Sequence, residues 1–289
     1  TRSEDKAFAF DLNVGGNIMR QQSNVLIANN PELNFFGTSP SVYTLTNSRS
    51  GVLTESQKRL QGINSLFGLA TISYKYWLYL DATFRNDWNS SLVNPVAGIS
   101  GSSYSFGYPS ASLSAVLSEV IDLKKSTPIN FLKVRTNYAE VGNGAPAYSF
   151  NNTYTPQAAY GGQAIFTTNR TVADQNLTNE RTRAWEAGID IRMFDSRLRF
   201  DATYYNMLSY NQVITLPVAA SSGYDFTLTN GGEISNKGIE LSLTATPVKT
   251  ANFTWNLNIN AGHNRAIVES LPDVIESGRY SIVADVFPG

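Results

Sequence analysis

From Trp77 the chain reads W-L-Y-L-D-A-T-F-R and alternates without a break. Leu78, Leu80, Ala82 and Phe84 share one side, and Tyr79, Asp81, Thr83 and Arg85 share the other. A period of two belongs to a β-strand whose two faces meet unlike surroundings. In a soluble sheet the polar face looks to water and the apolar face to a core. Here the apolar file starts beside Tyr74, Tyr76 and Trp77, an aromatic cluster of the kind that sits at a lipid headgroup boundary. A single strand does not separate lipid from a protein core. Repetition of the pattern with transmembrane spacing does.

The pattern repeats. Residues 7–15 set Phe8, Phe10, Leu12 and Val14 against Ala9, Asp11 and Asn13. Residues 65–74 read as the next strand, with a parity blurred by Phe67 and Leu69. Strands follow at 108–118 and 131–141, then a hairpin of 183–194 and 197–205 around Asp195-Ser196, then 238–246 and 253–262. That makes about nine strands, counted as runs of alternation. Between them the connections alternate in length: long polar segments at 16–62, 86–107, 142–182 and 206–237, and short turns near 75, 119–130, 195–196 and 247–252. Within 206–237, residues 213–216 and 226–228 read as extensions of the flanking strands. An up-and-down barrel treats its extracellular and periplasmic ends in this way.

Charge obeys the same division. The apolar faces carry essentially none, whereas the opposite faces carry Asp81, Arg85, Lys133, Arg135, Glu186, Asp190, Arg192, Arg199, Asp201 and Glu240. A cation on the lipid face costs roughly 2–4 kcal/mol at mid-bilayer, so the segregation has a physical cause. The expected fold is all-β: an antiparallel transmembrane barrel with a polar lumen, of which 1–289 is one portion. The rival is a soluble all-β sandwich or propeller, such as a carbohydrate-binding module or glycosidase. Across the hairpin, Arg192 is expected to meet Asp201 and Asp190 to meet Arg199, all four on the lumenal side.

Composition removes other classes. The net charge is −1 and there is no cysteine, so neither a nucleic-acid footprint, a disulfide framework nor a thiolate site is available. No apolar run approaches the roughly 20 residues of a transmembrane helix. His263 is the sole histidine, which rules out a Ser/His/Asp set. The acids alternate with Arg on strands and read as wall ion pairs, not as paired catalytic carboxylates. Gly161-Gly162 and Gly231-Gly232 lack a strand-then-helix context and read as turn glycines. Asp87 and Asp174 lie among oxygen-bearing neighbours without calcium-loop spacing. No catalysis, metal or cofactor is expected.

Seven stretches, in this order, carry a family resemblance: Y-L-D-A-T-F-R-N-D-W (79–88), Y-P-S-A-S-L-S-A-V-L-S-E (108–119), L-K-V-R-T-N-Y-A-E-V-G-N (132–143), N-L-T-N-E-R-T-R-A-W-E-A-G-I-D-I-R (176–192), R-L-R-F-D-A-T-Y-Y-N (197–206), N-G-G-E-I-S-N-K-G-I-E-L-S-L (230–243) and A-N-F-T-W-N-L-N-I-N (251–260). Together they resemble the SusC/RagA branch of TonB-dependent outer-membrane transporters. The resemblance implies a barrel of about 22 strands with a plugged lumen, the plug and closing strands having no counterpart in 1–289. It implies a Gram-negative outer membrane, energy supplied by TonB through a segment outside this chain, and a SusD-like surface lipoprotein as lid. Its cargo would be an oligosaccharide or an oligopeptide. Aromatics of the long segments, Trp88, Tyr104, Phe106, Tyr148, Phe150, Tyr154, Tyr160, Phe166 and Tyr224, are the candidate substrate contacts, because ring faces stack on sugars. The alternative for each ring is packing of the loops on one another.

Overall fold

A computed structural model describes residues 7–29, 44–47, 53–99, 103–123, 127–160 and 163–271. Residues 30–43 and 48–52, Gly161 and Gly162, and the Pro-containing tail from 272 lie outside them. Twelve strands follow one another: β1 (Phe8–Asn29), β2 (Leu53–Tyr74), β3 (Leu78–Asn89), β4 (Ser105–Val116), β5 (Ile129–Asn143), β6 (Tyr154–Tyr160), β7 (Gln163–Thr168), β8 (Thr171–Ala173), β9 (Glu180–Met193), β10 (Leu198–Pro217), β11 (Phe226–Lys249) and β12 (Thr254–Ser270). Nine of them form one continuous antiparallel wall in the order β1-β2-β3-β4-β5-β9-β10-β11-β12. β6 and β7 make a separate hairpin, and β8 adds in parallel to the top of β11. Among the described residues no helix is long and apolar enough to cross a membrane; the elements of crossing length are strands.

Among the described residues the buried apolar cluster lies in the loops and the strand ends beside them, not along the membrane-crossing part of the wall. Instead, its apolar side chains stand outward in files: Phe8, Phe10, Leu12, Val14 and Ile18 on β1 are each at least 60% exposed. An apolar patch of that size does not face water in a soluble monomer. From residue 8 to residue 18 the chain climbs roughly 33 Å at about 3.3 Å per residue, or roughly 25 Å of height at a tilt near 40°. That matches the apolar band of an outer-membrane barrel. The files continue through Leu80 and Phe84 on β3, Trp185 on β9, Ile239 and Leu241 on β11, and Trp255 and Ile259 on β12, all exposed. Tyr74 and Trp77 meet edge to face at 6.2 Å at one rim. Trp185 and Tyr204 do the same at 5.9 Å on adjacent strands toward the other rim. A second sheet that would cover these files, as the sandwich reading requires, does not occur among the described residues.

Register settles the parity of β2. Ile72 pairs with Leu80 and Phe10, and Leu66 with Gly16, so Tyr74, Ile72, Ala70, Gly68 and Leu66 look outward. Phe67 therefore points inward, where its ring lies over Gly15; a Cβ there would sit 2.6 Å from the ring.

The strands outrun their apolar faces, and this corrects the long segments. β1 and β2 pair without interruption from Phe8↔Tyr74 to Asn29↔Leu53, so most of 16–29 and 53–62 is strand and not loop. β10 and β11 likewise pair up to Pro217↔Phe226, leaving only 218–225 as connection. Once a strand rises out of lipid, the backbone ladder still holds it, but nothing requires alternation of its side chains. The short turns are tight: Lys75 and Tyr76 (φ 44° and 60°) join β2 to β3, and Phe194, Asp195 and Ser196 (φ 54°, 57° and 63°) join β9 to β10.

Candidate functional site

The lumenal face of the wall is a polar surface with its own wiring. Asp81 accepts from Thr71 Oγ1 at 2.7 Å. Arg85 donates to Asp87 Oδ1 at 2.7 Å and to Ser65 Oγ at 2.8 Å, and the Tyr108 hydroxyl donates to Asp87 Oδ2 at 2.7 Å. Asp87 is buried by these contacts. Asn137 donates to Glu186 at 3.2 Å. Asp201, Thr203, Glu240, Ser242 and Asn260 line a trough of about 390 Å³.

The hairpin ladder differs from the expected one. The four-residue turn 194–197 sets Arg192 directly opposite Arg199 and Asp190 directly opposite Asp201. Like charges face each other, an unfavourable cross-strand arrangement, so the charges find partners elsewhere. Arg192 binds Asp190 of its own strand at 3.2 Å, and stacks its guanidinium 4.4 Å from the Phe131 ring centroid. Asp201 takes Arg135 of β5 as a fork, at 2.8 and 2.9 Å, and Arg135 also donates to Thr203 at 2.7 Å. The expected contacts Arg192–Asp201 and Asp190–Arg199 thus give way to Arg135–Asp201 and Arg192–Asp190, while the register keeps Asp190, Arg192, Arg199 and Asp201 on one side.

Arg135 reaches β10 across an intervening strand, a span of roughly 9–10 Å at the usual strand spacing. Gly188 makes this reach feasible. It pairs with Arg135 on one side and Thr203 on the other, and a Cβ at 188 would lie 2.8 Å from the guanidinium carbon. A lone inward-facing glycine between Glu186 and Asp190 is the sequence signal that marks such a crossing.

That cluster stands above the membrane-crossing part of the wall. Leu92, Phe106, Ala145 and Leu177 are buried together, with Tyr104, Tyr108, Phe150, Val213 and Leu228 against them. Asparagines hold the segments in place. Asn89 Oδ1 accepts from Ser91 N at 3.0 Å, Asn94 Nδ2 donates to Gln175 Oε1 at 2.8 Å, and Asn230 Oδ1 accepts from Thr178 N at 2.6 Å. Arg170 and Asp225 form an ion pair beside the β8–β11 pairing. Asp174 accepts from Thr229 at 3.2 Å. Among the described residues no group of three or more His or acidic side chains stands close enough to hold a metal ion.

The candidate aromatics therefore divide. Phe106, Tyr104 and Phe150 pack the loop core. Trp88 is not a loop residue: it belongs to β3, pairs with Asn64 and Ser105, and shares the outward parity of Leu80 and Phe84, because β3 runs on past residue 85. Tyr224 is half-buried beside the turn at Gly223. Tyr148, Tyr154 and Phe166 are exposed; the Tyr148 hydroxyl accepts from Leu60 N at 3.2 Å, and Tyr154 and Phe166 lie on the β6–β7 hairpin. The side chain of Tyr160 lies outside the described residues.

A tilted antiparallel wall, apolar outside and charged inside, with short turns at one end and a folded loop cap at the other, is a sector of an outer-membrane β-barrel. Residues 2–280 match the family model of the TonB dependent receptor-like β-barrel, and the chain belongs to that family, whose members are Gram-negative outer-membrane receptors and not enzymes. It is 27% identical over 212 residues to TonB-dependent receptor P3 of Formosa agariphila, covering 72% of this chain and 20% of that protein. It is 26% identical over 187 residues to TonB-dependent receptor SusC of Bacteroides thetaiotaomicron, covering 62% and 18%. In fold it is similar to the RagAB peptide importer in its open-open state, with a TM-score of 0.73 at 18% identity over 93% of this chain and 29% of that one. The chain thus spans about a fifth of the curated relatives it matches.

Proposed function

We propose that the protein containing this chain imports, through the outer membrane, a nutrient too large for ordinary porins, and that it performs no chemistry on it. The observation that carries the reading is the lumenal face, which is polar and charged, with Arg135 tied to Asp201 and Arg85 to Asp87 within the wall. TonB supplies the energy through a segment outside this chain, and a SusD-like surface lipoprotein covers the extracellular end. In support, the loop segments share a buried apolar cluster, which suits a protein that seats a large partner. Whole cells test this. Deleting tonB should abolish uptake, and the protein should co-purify with a surface lipoprotein in mild detergent. Uptake that survives without TonB overturns active import in favour of a passive porin.

An oligosaccharide is the favoured cargo, on exposed Tyr148, Tyr154 and Phe166 and the affinity of ring faces for sugar C–H groups. An oligopeptide is the second reading. It is favoured by the loss of Phe106, Tyr104 and Phe150 to packing and by the likeness to a peptide importer. Growth of a deletion strain on glycans and on peptide mixtures separates them: loss on peptides alone overturns the sugar reading and leaves the importer standing.

A further inference from the structure

The outer face of β1–β3 has a feature that lumenal transport does not use. Register places Arg20, Gln22, Leu60, Asn64 and Trp88 on the outward parity, one to three steps beyond Ile18, Leu66 and Phe84. With Tyr104 they line a cavity of about 700 Å³. The apolar file on β1 ends at Ile18 after roughly 25 Å of height, so Arg20 stands just above the hydrocarbon, at the level of the headgroups. Among the described residues that line the cavity, Arg20 is the one charged group. Its Nη1 donates to Asn64 Oδ1 at 3.0 Å and to Met19 O at 2.7 Å, which holds the guanidinium in place at the cavity.

We propose that this cavity binds the phosphorylated sugar headgroup of an outer-leaflet glycolipid. Each part of the lining matches a part of such a molecule. The guanidinium fork takes phosphate oxygens. Trp88 offers a ring face to sugar C–H surfaces, and the Gln22 and Asn64 amides donate to and accept from hydroxyls. The acyl chains descend along Ile18, Leu66 and Phe84, already exposed toward lipid. A free sugar phosphate has the same headgroup chemistry, but a cavity on the outer side of the wall, directly above apolar files, selects the molecule that carries acyl chains. A second outward cavity, of about 400 Å³ beside Trp185, serves as the contrast. There Lys237 and Arg183 are accompanied by Glu233 and Glu269, and Ser235 donates to Glu269 at 2.5 Å, so carboxylates oppose a phosphate.

The test uses the full-length protein purified from outer membranes in mild detergent, with retained lipopolysaccharide quantified by mass spectrometry. Rebinding is then measured with three probes: purified lipopolysaccharide, the same lipid after phosphatase treatment, and delipidated core oligosaccharide. Arg20→Ala and Trp88→Ala should each lower retention about tenfold, the loss of one charge-assisted contact or one stacked ring. Arg20→Lys should keep part of it, and Lys237→Ala at the contrasting cavity should change nothing. The dephosphorylated lipid should bind more weakly and the delipidated sugar not at all. Heat-modifiable gel mobility reports that each barrel is folded; if Arg20→Ala fails there, Trp88→Phe and the phosphatase arm decide. Unchanged retention in the folded variants overturns the proposal. So does binding of the delipidated sugar as tight as that of the intact lipid, which would assign the cavity to a soluble ligand. Import is not the readout, so failure here and failure of the transport reading are separate results.

Discussion

The wall and the loop cap are built from one chain on opposite principles. In the wall, the large apolar side chains Leu80, Phe84, Ile239 and Leu241 are exposed, and order comes from backbone ladders that run unbroken for as many as 22 residues in β1 and β2. In the cap, Leu92 and Leu177 are fully buried against Phe106 and Ala145, and buried asparagines bridge irregular backbone. The difference follows from the solvent. Lipid satisfies an apolar surface but no polar backbone group, so the wall pairs neighbouring strands in long backbone ladders and leaves its apolar side chains outside. Water does the reverse, so the cap must bury its own apolar groups as a soluble domain does.

If the two regions are as separate as this, substitutions in one should leave the other unmoved. The largest effect is expected in the cap: Leu92→Ala or Leu177→Ala opens a cavity and should cost about 2–5 kcal/mol. Limited proteolysis and hydrogen exchange should show 144–179 loosened while the heat-modifiable mobility of the barrel stays as it was; joint loss of both would break the comparison. Next comes the lipid face. Leu241→Arg should destabilise the wall by about 2–4 kcal/mol in lipid vesicles, whereas Ser242→Arg, one residue on and facing the lumen, should have little effect on the refolding midpoint. Equal costs at the two positions would refute the assignment of faces.

A smaller effect sharpens the lumenal side. Gly188→Val should push Arg135 off its crossing, since the new Cβ would meet the guanidinium. The coupling between Arg135 and Asp201, about 0.2–1 kcal/mol for a partly solvated pair, should be measurable by a double-mutant cycle in the parent and absent in the valine variant. Persistence of that coupling would show that the glycine is not what permits the reach. The smallest effect belongs to Arg170→Ala. Its pair with Asp225 is at the exposed rim, and exchange should quicken only around β8 and the 218–225 turn, with no change in the wall midpoint.

Much of the wall was legible because lipid imposes a rule on side chains. Leu78 to Phe84, Trp185 to Met193 and Leu257 to Ala261 alternate where the strand crosses the bilayer, and there strand, face and order can be read together. The rule stops at the headgroups. Residues 20–29 and 53–60 continue as strand but alternate no longer, so they read as loop, and Trp88 reads as a loop residue for the same reason. The loop aromatics were illegible in another way. Phe106 and Tyr154 are equally plausible sugar platforms by residue type, yet one is buried and the other 72% exposed, a distinction made by neighbours distant in sequence, such as Leu177 for Phe106.

By itself the sequence determined which side of most crossing strands meets lipid, because a one-residue slip would turn their charges outward and each such cation would cost about 2–4 kcal/mol; for β2 the register with β1 and β3 decided it. It did not determine how the inward charges pair. Every inward arrangement of Asp190, Arg192, Arg199 and Asp201 satisfies the same alternation, and their mutual contacts are each worth little in a solvated lumen. The tertiary structure chose among them by bringing β5 beside β9 across residues 144–179. The turn at 194–197 set like charges face to face, and the gap at Gly188 let Arg135 pass over one strand to reach Asp201 on the next.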